Sequence, residues 1–300
     1  MIIRISLLLL KIGGYRVEIL QFFQGIQNSF FDALFEGASM LGETNFYIVA
    51  MAAMLWCINK KYGYQMGLAI ISSGILNLGI KETFHTSRPI GVEGLRSLRT
   101  KTAPGYSFPS GHTQGAATFC TSIMVKLKKK WIYFLGSIII VFVGISRLYL
   151  AVHWPVDVIF GLIFGVCWVF VSNLIFEMAD NKGKYYLFLF LIIPAVIGLF
   201  FVKKERYYQM VGVLISLIIG YIIENKYIKY EVRCCLWKQI IKLVSGIAII
   251  LVIKISFKAI LPVSLISDFV RYFIMGMWMI VGAPLMFNLF KLKYIKGKSK

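Results

Sequence analysis

The sequence predicts an all-α polytopic membrane protein, a helical bundle of about nine transmembrane helices. Hydrophobic residues make up 59% of the 300 residues and aromatics 15%, well above the roughly even apolar content of globular chains. Apolar stretches of spanning length recur from about residue 43 to about 290, each near the twenty residues that a bilayer core requires. Lys and Arg gather in alternate connections between those stretches, as membrane topology demands.

Residues 1–42 read as interfacial amphipathic helices. Arg4, Lys11, Arg16, Glu18, Asp32 and Glu36 interrupt the apolar runs. Leu20, Phe23, Phe30, Phe31 and Leu34 fall on one helical face. Met1–Leu10 has one Arg and a short apolar run but no small-residue cleavage site, so it does not read as a signal peptide. Nine spans follow, at about 43–58, 63–83, 109–126, 131–149, 155–177, 185–202, 207–223, 238–257 and 269–290. The 238–257 span is the weakest, because Lys238, Lys242 and Lys254 interrupt it. The sequence shows no short-period repeat and no low-complexity tract.

The net charge of +20 does not point to nucleic acid, since the basic residues are spread among short loops rather than massed on one element. Cys57, Cys120 and Cys167 sit in apolar segments, and Cys234 and Cys235 are adjacent in a loop. Their spacing matches neither a metal site nor a disulfide framework, and neither metal nor cofactor is expected. One side of the membrane collects Lys60, Lys61, Lys126, Lys128 to Lys130, Lys182, Lys184, Lys226, Lys229, Arg233 and Lys238, with Lys291, Lys293, Lys296, Lys298 and Lys300. That side is cytoplasmic by the positive-inside rule. The long polar loop 84–108 therefore faces outward, and its length and charge mark it as functional.

Three motifs meet on that outer side. The second span ends at Lys81, followed by His85 and Arg88-Pro89. The third opens with Pro109-Ser110-Gly111-His112. The fourth ends at Ser146-Arg147, and the fifth begins after His153, with Asp157 one turn on. Spans three and four, each about 27 Å long, run out and back and return these motifs to one level. Each motif has a plain reading alone: Lys81 snorkelling to the headgroups, Arg88-Pro89 as a turn, Ser110 as a helix N-cap. Together they hold all three histidines of the chain. A carboxylate at Asp157 can keep one nitrogen of His153 protonated and leave the other to attack an electrophile. Arg147 offers a planar fork suited to phosphate oxygens. The helix start at Gly111 lets an anion approach free N–H groups.

Lys81-x6-Arg88-Pro89, Pro109-Ser110-Gly111-His112 and Ser146-Arg147-x5-His153-x3-Asp157 resemble the three-part signature of the type 2 phosphatidic acid phosphatases. That superfamily also holds glucose-6-phosphatases and vanadium haloperoxidases. The resemblance is complete at each motif position and covers residues 43–177. It implies a catalytic core over 43–180, with additional membrane helices and a basic cytoplasmic tail over 185–300. It further implies His153 as nucleophile through a phosphohistidine, Asp157 orienting it, and His112 as general acid and then base. Lys81, Arg88, Ser110, Gly111 and Arg147 would hold the phosphoryl group without a metal. His85 lies outside the signature and is a candidate substrate contact.

The implied activity is hydrolysis of a lipid phosphomonoester or pyrophosphate, of phosphatidic acid, phosphatidylglycerol phosphate or polyprenyl pyrophosphate type. A sugar phosphatase and a lipid phosphotransferase are the alternatives within the enzyme class. A transporter or scaffold with a vestigial site is disfavoured by the intact signature and by C-terminal helices with no inverted repeat or evident buried ion pair. The expected location is a bacterial plasma membrane with the site on its extracytoplasmic face, and the expected partners are the substrate and membrane lipids.

Overall fold

The computed structural model describes residues 13–290 and residue 292, with helices and loops and no strand among the described residues. Helices α1 (Gly13–Gln24) and α2 (Ser29–Met40) precede α3 (Thr44–Ala53), which runs on through a π-turn to Ile58. Then come α4 (Lys60–Phe84), α5 (Gly111–Leu127), α6 (Lys130–Tyr149) and α7 (Pro155–Asn181). The C-terminal part holds α8 (Leu189–Phe201), α9 (Glu205–Ile223), α10 (Leu236–Ile260), α11 (Leu265–Met277) and α12 (Ala283–Leu289). A π-turn at Trp278–Gly282 joins the last two. Arg4, Lys11 and the terminal lysines at 291, 293, 296, 298 and 300 lie outside the described residues.

Among the described residues, six helices are long and apolar enough to cross a membrane, or seven if Ser29–Met40 and Thr44–Ile58 form one broken span. All nine expected segments are helical, but three are short. The segment expected at 109–126 forms α5, of 17 residues, and it buries Thr113, Gln114, Thr118, Thr121 and Ser122. Its polar side chains are used inside the protein rather than offered to lipid. The segment expected at 185–202 carries Pro194 within its helix, where the ring removes a backbone donor.

The described residues pack as two compact units, one formed by 13–43 with 76–169, the other by 44–75 with 170–290. In the first unit, α2 lies against α6. Phe35 stacks on Tyr149 with ring centroids 4.4 Å apart, in a cluster with Ala103, Leu150 and Val152. Truncating a buried phenyl such as Phe35 to Ala costs about 3–5 kcal/mol. Phe23 and Phe31, from the expected amphipathic face, pack against this cluster, and Leu20 is fully buried. Phe30 and Leu34 stay exposed. The face is therefore spent partly on protein contacts.

Helix α7 lies close on α5. A Cβ at Gly161 would stand 2.7 Å from the carbonyl oxygen of Ser110, and one at Gly165 would stand 2.7 Å from Ala117 Cβ. Only glycine permits that approach, which sets the start of α7 against the start of α5.

In the second unit, α9 packs on α11, and a Cβ at Gly212 would meet Phe269 O at 2.5 Å. Trp56 is fully buried and donates to Met279 O at 2.8 Å. Contrary to the sequence expectation, this unit contains buried ion pairs. Lys60 meets the buried Glu224 at 2.7 Å, and Arg271 pairs with the largely buried Asp268 one turn earlier in α11. Neither pair is visible in the sequence, because Lys60 and Glu224 lie 164 residues apart and nothing in a chain of residues shows whether the charges of Asp268 and Arg271 meet.

Candidate active site

The site is assembled where the C-terminal ends of α4 and α6 meet the N-terminal ends of α5 and α7, with its residues all from the first unit. Helix α6 ends by a Schellman closure: Val152 N donates to Arg147 O at 3.2 Å and Ala151 N to Leu148 O at 3.0 Å. The reversing residue is Ala151, at φ +47°, where glycine is usual. This reversal folds His153 back over the end of α6. Pro155 then opens α7, and Asp157 lies in its first turn.

His153 and Asp157 are both buried. The Nδ1 of His153 is 3.3 Å from Asp157 Oδ2. That same oxygen accepts from Trp154 N at 2.8 Å and from Ser107 Oγ at 2.5 Å. A carboxylate so supplied with donors is an acceptor for Nδ1–H, which leaves the Nε2 lone pair facing away from it. That lone pair faces Arg88, whose Nη1 lies 2.9 Å from Nε2. Burial, then the charges of Arg88, Lys81, Arg147 and His112, hold His153 well below the usual imidazole range. Its ring is neutral at neutral pH, the form that a nucleophile requires.

Three cations surround this imidazole. Lys81 donates to the carbonyls of Tyr106 at 2.7 Å and Ser107 at 2.8 Å. Arg88 binds Gly105 O through Nε, Val152 O through Nη1, and Pro104 O and Tyr106 O through Nη2. With His153 these contacts engage all five of its N–H donors. Burial pulls its guanidinium down to about 10, still cationic at neutral pH. Arg147 is fully buried, and its Nη1 donates to Ser39 Oγ. Its Nε and Nη2 have no hydrogen-bond partner among the described residues. Those two atoms form the side-on edge of the guanidinium, the edge that grips a pair of oxygens.

Ser110 caps α5, its Oγ accepting from Thr113 Oγ1 at 3.0 Å, and its N donates to Asp157 O at 2.9 Å. Asn77, one turn before Lys81, donates to Gln114 at 2.8 Å and to Pro109 O at 3.3 Å, forming a polar floor under Gly111. His112 is backed by Gly42: a Cβ there would stand 2.8 Å from His112 Cβ. The loop is stitched down by Ser107 N to Thr86 O at 2.8 Å, Leu98 N to Leu150 O at 3.0 Å and Trp154 Nε1 to Ser87 O at 2.9 Å.

The convergence expected from spacing is thus observed for Lys81, Arg88, Ser110, Gly111, His112, Arg147, His153 and Asp157. His85 stays apart. It is exposed, at φ +49°, with its ring edge-on to Tyr106 at 4.5 Å. Sequence reasoning missed Ser107, Ser39, Asn77 and Gln114. Ser107 adjoins the second motif, and that proximity was its only signal. Ser39 comes from a segment with no motif at all.

A bundle of apolar helices carrying a neutral, carboxylate-oriented histidine among cations defines the class, a membrane phosphatase. Comparison with known proteins agrees. Residues 62–181 match the PAP2 superfamily, and residues 208–296 match the PAP2 superfamily phosphatase, transmembrane extension. Phosphatidylglycerophosphatase B of Bacillus subtilis is 30% identical over 159 residues, 49% of this chain and 75% of that protein. An undecaprenyl-diphosphatase of Sulfolobus acidocaldarius is 28% identical over 160 residues, 53% of this chain and 77% of that protein. The crystal structure of Aquifex aeolicus LpxE superposes with a TM-score of 0.48 at 24% identity, covering 53% of this chain and 94% of that one. The chain belongs to the PAP2 superfamily.

Proposed function

We propose that this protein removes a phosphate from a lipid phosphomonoester or pyrophosphate through a phosphohistidine on His153. The observation that carries the reading is the buried, open edge of Arg147 beside a histidine whose Nε2 is turned away from Asp157. Two convergent N–H donors in a water-poor site answer two phosphoryl oxygens and the charge that develops on them. The relatives named above support a lipid substrate, because their names specify a phosphatidylglycerol phosphate and a polyprenyl diphosphate.

The steps follow from the geometry. The substrate's phosphoryl oxygens occupy the Arg147 edge and take over the Arg88 Nη1 hydrogen from His153 Nε2. The freed lone pair attacks phosphorus, and the Nε2–P bond forms as the P–O bond to the leaving group breaks. Protonated His112 delivers its proton to the departing oxygen. Neutral His112 then takes a proton from water, the resulting hydroxide attacks phosphorus, and the N–P bond breaks to release inorganic phosphate. Asp157 holds the Nδ1–H throughout, and Lys81, Ser110 and Gly111 complete the cradle at the helix start.

The distribution of Lys and Arg among the loops supports a site on the extracytoplasmic face of a bacterial plasma membrane. A cysteine introduced at position 93 is expected to react with an impermeant thiol reagent in intact cells, and one at position 128 is not. The reverse labelling would move the site to the cytoplasm. For activity, the purified protein is offered a panel of lipid phosphates, lipid pyrophosphates and sugar phosphates in EDTA. Release of phosphate from the lipids and block by vanadate are expected. Turnover of sugar phosphates alone, or activity that needs added Mg²⁺, would overturn the reading.

A further inference from the structure

Arg147 is held from outside the segment that matches the catalytic family. Its guanidinium is fully buried, and the hydroxyl that accepts from its Nη1 belongs to Ser39 in the last turn of α2. The family match begins at residue 62, whereas Ser39 lies in the same compact unit as the catalytic loop. Ser39 is itself fully buried. Two residues beyond α2's C-cap at Leu41, Glu43 pairs with Arg99, and within α2 Asp32 takes the Tyr149 hydroxyl at 2.7 Å and Arg96 at 2.6 Å. The helix is therefore anchored to α6 and to the loop at several points, which fixes where the Ser39 hydroxyl stands.

We infer that Ser39 is a positioning residue for phosphoryl binding, supplied by the N-terminal helix α2 and acting through Arg147. A guanidinium on a flexible stem can turn about its last bonds and present either of two edges. Anchoring Nη1 on Ser39 leaves the opposite Nε/Nη2 edge as the one available to an anion. The hydroxyl is a neutral acceptor, so it orients the cation without neutralising it. A carboxylate at position 39 would hold the guanidinium more tightly and cancel the charge that the substrate meets. The inference rests on the reading of Arg147 given above.

The test is a double-mutant cycle on the full-length protein, with Ser39→Ala, Arg147→Met and the double variant. The readout is vanadate affinity by calorimetry, which also serves inactive variants. Losing a hydrogen bond to a charged group is expected to weaken vanadate binding roughly tenfold or more in Ser39→Ala, with the melting temperature near that of wild type. In the Arg147→Met background the Ser39→Ala change is expected to have no further effect, because the group through which it acts is gone. Ser39→Cys, of similar volume and with a weak acceptor, falls between. Wild-type affinity in Ser39→Ala, or the same loss in both backgrounds, would overturn the role of Ser39. Wild-type affinity in Arg147→Met would instead overturn the phosphate-binding role of Arg147 itself. If Ser39→Ala does not fold, unchanged affinity in Ser39→Cys overturns the role equally.

Discussion

The three signature cations of the first unit and the three paired cations of the second are held on different kinds of partner. In the unit that carries the signature, Lys81 and Arg88 are fastened to main-chain carbonyls, and Arg147 to a serine hydroxyl. In the other unit, the half-buried Lys60 and Arg271 and the exposed Lys61 sit on the carboxylates of Glu224, Asp268 and Asp180, while the fully buried Lys242 donates to Val232 O. Carbonyls and hydroxyls orient a cation and leave its charge in place, whereas a carboxylate cancels it. The first arrangement leaves the site short of anion, which a phosphoryl group supplies. The second is a structural use of charge inside apolar helices, where a lone ion is costly. Substitutions in the first unit should therefore act on chemistry, and those in the second on stability.

The largest expected effect is at the nucleophile. In the proposed mechanism His153→Ala removes the atom that accepts the phosphoryl group, so turnover should fall to background with little change in fold. His112→Ala removes a proton donor, a loss of about 10²–10⁴-fold for a poor leaving group. That loss should shrink for p-nitrophenolate, which departs without much protonation. Label trapped on His153 at alkaline pH, where phosphohistidine survives, distinguishes the two roles. Phosphoenzyme formed by His153→Ala would exchange them.

The pH profile is the next effect. In the proposed mechanism His153 reacts as the neutral ring, and burial with the charge of Arg88 first among its neighbours lowers its pKa. A lowered pKa keeps the neutral form present as pH falls through the usual value of about 6.5. Activity is lost only as pH falls through the lower folded-state value. The acid limb of kcat/KM, corrected for titration of the substrate phosphate, is therefore expected below the ordinary imidazole range. Arg88→Gln removes a cation from beside the ring, so the limb should move up in pH as well as activity dropping. A limb that stays fixed in Arg88→Gln would show that the charge of Arg88 does not reach His153.

Ser107→Ala is expected to cost less, about tenfold in kcat from one hydrogen bond to a charged group. Asp157 would keep the donors from Trp154 and His153 but lose the third. With fewer donors the carboxylate attracts the Nδ1 proton more strongly, so the acid limb should again shift upward. Ser107→Thr, which keeps the hydroxyl, should restore both. A drop in activity with an unmoved limb would make Ser107 merely a packing residue.

Much of this was legible in the chain. Scarce residues carry the signal: three histidines, and basic residues beside prolines at helix ends, announce one site. Helix lengths near 27 Å bring those residues to one level. What was not legible has physical reasons. Ser39 and Ser107 are common residues whose importance comes from a partner far away in sequence. The packing of α2 on α6 was hidden because an amphipathic face reads alike whether it meets lipid or protein. Among the described residues the span count falls short of nine because the segments expected at 43–58, 109–126 and 185–202 form short or broken helices. Asp268 and Arg271 are visible as charges near a span end, but their pairing is a matter of side-chain geometry that the chain does not show.

The smallest expected effect tests the second half of the comparison. Glu224 is buried and accepts from Lys60 at 2.7 Å and from Tyr230 N at 2.7 Å. Glu224→Gln keeps the shape and can keep an oxygen for Lys60 and Tyr230 N, which share Oε1, but removes the charge that Lys60 meets. Breaking a fully buried pair costs about 3–5 kcal/mol. Lys60 is partly exposed and can turn to water, so a loss of about 1–3 kcal/mol is the better expectation. A thermal unfolding scan should fall by a few degrees while kcat and KM at ambient temperature stay within about twofold of wild type. Lys60→Met should cost more than Glu224→Gln, because it leaves the buried carboxylate of Glu224 without its cation. The opposite pattern, unchanged thermal stability with activity down tenfold, would mean that the charges of the second unit also act on chemistry, and the contrast between the two units would not hold.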